Sequence, residues 1–539
     1  MASNAIVKKL NRIPCRTALR HNDNDVLLFG YARHGRYSFL TLFLPLFLFM
    51  IPHYSWSITD SVVSKVFREK PSRTITIKVL RSSDVTYQLW EGFTLVRNAN
   101  AGDPAALNEL GLRYLLGQGF TADTIKAFDL IRKAAEKNYL LAHFNMAVFY
   151  HNGWGVEWNP FYAYKHFQYA AEQGLREGAF AYGLQFTDNL VVRRDWNKAL
   201  YWIQKSADLG YKPAKEILPD IERYASQQQT DSSASLTAVT SSSAQSYSPI
   251  LLDFTTVEET EPVNSFSLLE ILRALGKQWQ KKITSLAVVN DSILFHLLLQ
   301  HAEWGVPEEF TVIGRCYEYG IAVNTDSVRA LLNYVRAVRL ESRRAPTMLF
   351  RLLNNELLWK RIVQKANRGD AEAQYLVAGM ALTEILPSQQ KEDIISFLLK
   401  SANQQWVPAI IELGAAYFNG QLVPQQRQKA IELWIQAHAM GSKEALVRLA
   451  SATILTGVGP FSRDSAMKIL TVANSEESLL AEVTLAYCYE RGIEVQKNIG
   501  QSVRLYRNAA NRGSAIAFDA LKRLYDSVRP KEKEFEVRE

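Results

Sequence analysis

The 539-residue chain has three cysteines and no Cys-x-x-Cys pair, so it carries neither a dithiol redox motif nor the spacing of a thiol-ligated zinc module. Cys15 lies near the start, and Cys316 and Cys488 stand far apart, each just before a tyrosine, in positions expected to be buried and small. There is no Gly-x-x-x-x-Gly-Lys phosphate loop and no Gly-x-Ser-x-Gly nucleophile elbow. The nine histidines are scattered, and His296 and His301 are five apart, which is not the spacing of a helical metal pair. Carboxylate pairs such as Glu258-Glu259 and Glu308-Glu309 sit in polar contexts and read as solvated faces. No catalytic, cofactor-binding or metal-ligating residue is assigned, binding positions stay unassigned, and neither an enzyme nor a small-molecule substrate is expected.

Charge is scarce where nucleic acid would need it. The formal net charge is +8. Residues 1–36 hold seven Lys/Arg against two Asp, which is +5, and residues 60–97 hold seven against four acids, which is +3. Those two segments account for the whole excess, and the rest of the chain lacks the basic stripe that phosphate contacts require.

What the chain does have is a period. Gly111, Ala147 and Gly183 fall thirty-six residues apart, as do Ala135, Ala171 and Ala207, and then Asn138, Gly174 and Gly210. The interval returns as Ala378, Gly414, Ala450 and Ala486, and as Gln405, Gly441, Glu477 and Gly513. A period of this length marks a solenoid of helical pairs that bury their apolar faces only by stacking. Small residues such as Gly111 let helices approach closely, and bulky ones such as Tyr114, Tyr150 and Trp434 are expected to fill the space between them. Gly174, Gly210, Gly441 and Gly513 are placed to stop the second helix in a left-handed cap. Gly117-Gln118-Gly119 and Gly153-Trp154-Gly155 follow no strand and read as turn glycines.

The unit Leu110-Gly111-x-x-Tyr114-x-x-Gly117-x-Gly119, followed by Lys126-Ala127 and Lys133-Ala134-Ala135, resembles the Sel1-like subfamily of tetratricopeptide-type repeats. Copies follow at Tyr150, Gly153 and Ala170-Ala171; at Ile313-Gly314, Tyr317 and Gly320; at Leu413-Gly414, Tyr417 and Gly420; and at Tyr489, Gly492 and Ala509-Ala510. Units around Ala378 and Ala450 are assigned by period more than by motif. The resemblance implies an all-α, right-handed α-solenoid whose inner helices line a concave protein-binding groove. Some relatives staple each repeat with a disulfide, and this chain departs from that pattern.

The expected organisation is a basic segment 1–36, a hydrophobic anchor helix 37–59, a juxtamembrane and capping segment 60–101, a first repeat block 102–225, a Ser/Thr/Gln-rich linker 226–262, a second block 263–528 and a charged tail 529–539. Residues 37–59 contain no charged side chain and are long enough to cross a bilayer, although the densely apolar run is short and holds Pro45. A leader cleaved near Ser57 is the rival reading. Asp103 and Asp370 open the two blocks as helix caps. Thr74 to Val79 alternates like a strand, with Val85, Tyr87 and Leu89 as its candidate partner; a capping helix from about Asp84 to Ala99 is preferred. Asn290-Asp291-Ser292 matches a glycosylation acceptor.

These observations and the resemblance together point to a single-pass, membrane-anchored scaffold or adaptor that binds proteins, its two blocks able to grip two partners, or two sites on one partner, across the linker. The alternatives are an exported effector with a cleaved leader and a mitochondrial membrane-associated signalling protein with the same repeats. The side of the membrane is left open.

Overall fold

The computed structural model describes residues 73–82, 92–234, 250–254, 267–275, 277–286, 288–353, 355–383 and 391–537. Segments 1–36 and 37–59 lie outside the described residues, and no described helix is long and apolar enough to cross a membrane.

The described residues form helices joined by short turns, plus one pair of strands. β1 (Arg73–Ile77) precedes α1 (Gly92–Asn100), which packs on α2 (Pro104–Leu116). The first repeats pair α2 with α3 (Thr124–Glu136), α4 (Leu140–Asn152) with α5 (Pro160–Glu172), and α6 (Arg176–Leu184) with α7 (Trp196–Asp208); α8 (Lys212–Ala234) closes the stretch. After β2 (Ile250–Phe254) come α9 (Leu268–Ala274), α10 (Lys277–Thr284) and α11 (Asp291–Ala302). Further pairs are α12 (Pro307–Tyr319) with α13 (Ser327–Arg339), and α14 (Ala345–Leu353) with α15 (Glu356–Asn367). Next are α16 (Ala371–Leu382) with α17 (Lys391–Asn403), and α18 (Val407–Asn419) with α19 (Arg427–Ala439). The series ends with α20 (Lys443–Thr456) and α21 (Arg463–Ser475), α22 (Leu479–Arg491) and α23 (Ile499–Arg512), and α24 (Ala515–Ser527).

Local chemistry explains these boundaries. Asp103 accepts from the amides of Ala105 and Ala106, and Asp370 from that of Ala373, so both expected caps form. Second helices open on Asp123, Asn159, Asp195, Asp326 and Asn498, each capping its own first turn. The units around Ala378 and Ala450 also fold as helical pairs, α16–α17 and α20–α21. Gly117 and Gly153 end first helices with φ of 68° and 65°, as turn glycines should.

Packing within a pair follows a rule the period contains. The small residue of the first helix meets the bulky residue twenty positions on. A Cβ added to Gly414 would lie 2.4 Å from the Trp434 indole, one on Gly314 2.4 Å from the Tyr334 ring, and those on Gly111 and Gly183 2.9 Å from Ile131 and Ile203. Trp434 is fully buried and donates its Nε1–H to the Ile411 carbonyl at 3.1 Å. Tyr114 and Tyr150 depart from the expectation, since both are only half-buried.

Three long-range features revise the organisation. Residues 73–77 do form a strand, but its partner is 250–254 in parallel register, Ile75 opposite Leu252, rather than 85–89. The preferred capping helix is present as α1, while residues 83–91 lie outside the described ones. Within the expected linker 226–262, α8 continues to Ala234 and β2 is an ordered element. Thirdly, the blocks are not separate. One core cluster contains Phe144, Phe167 and Ile203 of the first together with Leu470, Tyr506 and Tyr525 of the second. Arg507 on α23 donates to the His151 carbonyl at 2.8 Å and to Asn152 Oδ1 at 3.3 Å, and Trp158 meets Tyr525 edge-on at 5.0 Å. Gly500 packs so closely that a Cβ there would lie 2.5 Å from the Asn152 carbonyl oxygen. The expectation of two blocks free to grip separate partners is corrected by this shared core, which joins them into one body.

Candidate protein-binding surface

Two of the first helices expected to line a concave groove are enclosed. Ten consecutive residues of α18, Ala409–Phe418, are buried, as are Ala373–Met380 of α16. At 3.6 residues per turn such runs cover every face, so these first helices present no open side to a partner.

Buried polar residues of the second block meet one another in ion pairs. Arg339 on α13 makes a two-pronged bond to Glu412 on α18, at 2.6 and 3.2 Å, with both side chains buried. Arg512 on α23 forks onto both oxygens of Glu308, each at 2.9 Å, and reaches Glu482 at 3.1 Å; burial raises the Glu482 carboxyl and the two glutamates raise the Arg512 guanidinium. Glu309 accepts from Trp279 Nε1 and bonds His301, whose other ring nitrogen lies 2.9 Å from Glu476. The pair Glu308-Glu309, expected on a solvated face, therefore ties the start of the second block to its end. Residues Glu258-Glu259 lie outside the described ones.

The remaining sequence candidates fall into structural roles. Cys316 and Cys488 are buried free thiols, each pushed up to about 12 by burial. His296 is exposed beside Gln300. Asn290 uses its side-chain oxygen to cap α11 by accepting from Ile293. No group of three or more His, Cys, Asp or Glu among the described residues could hold a metal ion.

Exposed side chains fall on second helices such as α3, α5 and α19 and on the open edge of first helices such as α4. On the first block these positions carry a run of rings. Phe128 on α3 lies 5.4 Å from Tyr150 on α4; Tyr150 lies 5.4 Å from Tyr162 and stacks over His166 at 6.0 Å. His143 then contacts Tyr169 at 4.2 Å and bonds His166 through their Nδ1 atoms at 3.2 Å. Tyr162 is 58% exposed and the other five rings are partly exposed. Burial and the neighbouring His143 push His166 down to about 4, and burial lowers His143, so at neutral pH the imidazoles share a hydrogen bond without charge. Ile125 and Tyr201, 72% and 61% exposed, extend the apolar character onto α3 and α7. Rigid, half-exposed aromatic groups are what protein interfaces favour as anchors.

The signal for this strip was present in the sequence. Tyr162, His166 and Tyr169 keep helical spacing, as do His143 and Tyr150 one turn-pair apart. Assigning ring residues at repeat spacing to the core hid it.

Comparison with known proteins places these pairs in context. The Sel1 repeat model matches residues 104–139, 140–175, 177–211, 313–342, 407–442 and 480–514. A 107-residue stretch, 20% of this chain, is 31% identical to DAP3-binding cell death enhancer 1 of Mus musculus and 30% identical to that of Rattus norvegicus. The match spans 21% of the length of each of those relatives. Among solved structures, a protective antigen of uropathogenic Escherichia coli with an SLR fold is 20% identical, with a TM-score of 0.29, covering 82% of this chain and 91% of that one. A Sel1 repeat protein from Oxalobacter formigenes is likewise 20% identical, with a TM-score of 0.20, covering 63% and 89%.

Proposed function

Because six of its helical pairs are Sel1 repeats, we propose that this chain is a non-enzymatic scaffold that binds proteins on the outer aromatic strip of its first block. The observation that carries the reading is the half-exposed series Phe128, Tyr150, Tyr162, His166, His143 and Tyr169 on a solenoid whose first helices α16 and α18 are enclosed. A partner would cover the rings and displace water from a surface that is already ordered, so little side-chain entropy is lost on binding. The likeness to a DAP3-binding protein makes DAP3 the first partner to test. Attachment to a membrane through residues 37–59 is part of the proposal and rests on the uncharged stretch alone.

The test is titration of purified DAP3 into the intact chain, with the exposed positions Tyr162→Glu and Ile125→Glu as variants whose melting temperatures are checked against the wild type. Binding that is lost in both variants supports the strip. Binding unchanged by either variant would move the interface elsewhere. Protease protection of a carboxyl-terminal tag on alkaline-washed membranes tests the anchor, and recovery of the tag in the soluble fraction would remove it.

A further inference from the structure

Residues 529–537 are docked, although their composition reads as a charged tail. Lys531, Glu532, Lys533, Glu534 and Glu536 are exposed, while Phe535 between them is 1% exposed. Its ring enters a slot on α5, edge-on to Phe161 at 4.9 Å and to Tyr164 at 5.6 Å. Lys165 closes the slot, its Nζ 5.1 Å from the centre of the Phe535 ring and paired with Glu534. Behind it, Tyr164 and Tyr182 share a hydroxyl hydrogen bond at 3.1 Å. Arg529 holds the start of the segment by donating to the carbonyls of Leu190 at 2.8 Å and Val191 at 2.9 Å.

This is the geometry of a short peptide on a receptor: one aromatic anchor, one adjacent acid on a lysine and otherwise solvated flanks. We propose that the slot of Phe161, Tyr164 and Lys165 recognises a partner-protein segment in which phenylalanine follows an acidic residue, and that residues 529–537 occupy it in cis as a displaceable plug. The inference rests on the protein-binding reading and names a second site for it. The slot uses α5 positions 161, 164 and 165, whereas the strip uses 162, 166 and 169. Arg529 also donates to the Phe535 carbonyl at 2.9 Å, so release of the anchor breaks that one bond while the bonds to Leu190 and Val191 keep the root attached. A tethered segment competes at high effective concentration, so the intact chain is expected to bind such partners weakly until the plug leaves.

The experiment measures fluorescence anisotropy of a labelled peptide with the sequence of residues 531–537, titrated with the intact full chain and with its Phe535→Ala variant. The variant is expected to bind at least about tenfold more tightly than the intact chain. A peptide with alanine for phenylalanine should not bind, and adding Lys165→Glu should weaken binding by about threefold or more. Equal affinity for the two chains, or no binding to a folded variant, would make Phe535 an ordinary core residue and overturn the proposal. If Phe535→Ala loses its helical circular dichroism, Glu534→Lys decides instead: it removes the exposed pair with Lys165 and the contact with the Tyr164 hydroxyl while leaving Phe535 in place, and an unchanged affinity for the peptide would overturn the proposal. Dimers of the intact chain held together by exchanged tails would assign the slot to a second copy and also overturn it. Failure here leaves the DAP3 titration untouched, and failure there leaves the slot untouched.

Discussion

The two helices of one repeat bury themselves differently. α18 is buried over Ala409–Phe418 without a break, whereas its partner α19 buries only Ala430, Ile431, Trp434 and Ala437, a single stripe at helical spacing. The second helix is an ordinary surface helix. The first is enclosed because, beyond its own partner, neighbouring helices of the stack, α13, α16, α17 and α20, cover it. Where a first helix is enclosed in this way, the face usually offered to ligands becomes core, and recognition moves outward.

The largest expected break of this contrast is electrostatic. Arg339→Ala should leave Glu412 buried without its partner and cost about 3–5 kcal/mol, read from chemical denaturation, while Arg427→Ala on the exposed start of α19 should change little. Next come the close approaches. Gly414→Ala, against the Trp434 indole, and Gly500→Ala, against the Asn152 carbonyl, should each cost about 1–3 kcal/mol; only the second should also expose the interface between the blocks to hydrogen exchange around His151.

A pH effect sharpens the same comparison. Asp188, buried at the end of the first block, accepts from the Leu190 amide and has its carboxyl pushed up to about 7 by burial. A raised carboxylate means that the folded state holds a proton which the unfolded state has lost. Stability should therefore fall as pH rises from about 4 to 7, by on the order of 1 kcal/mol per pH unit. Asp188→Asn should flatten that slope, as melting temperatures across the range would show. The smallest effect belongs to the caps. Gln405 adopts φ 62° where the equivalent Gly441 adopts 100°, so Gln405→Gly should stabilise the fold by about 0.5–1 kcal/mol.

The sequence showed the fold more clearly than the surface. The caps at Asp103 and Asp370 and the turn glycines Gly117 and Gly153 were legible because each depends on residues within one repeat, whereas the pairing of Gly414 with Trp434 emerged from the packing. The strip at His143, Tyr150, Tyr162, His166 and Tyr169 was present as spacing, but the same residue types serve as core elsewhere, and only packing separates Trp434, fully buried, from Tyr162, which is exposed. Glu308 and Glu309 were misread for a related reason, since their partners Arg512 and Glu476-bound His301 are supplied by chain folding.

By itself the sequence determined a helical repeat of thirty-six residues with its caps and turn glycines, because helix periodicity and capping act over a few residues. Only the tertiary structure decided that α16 and α18 are enclosed, that strand 73–77 finds its partner at 250–254, that Arg507 joins the blocks and that Phe535 docks on α5. Those contacts link residues up to several hundred positions apart, and no local pattern encodes which distant surface a burying side chain will meet.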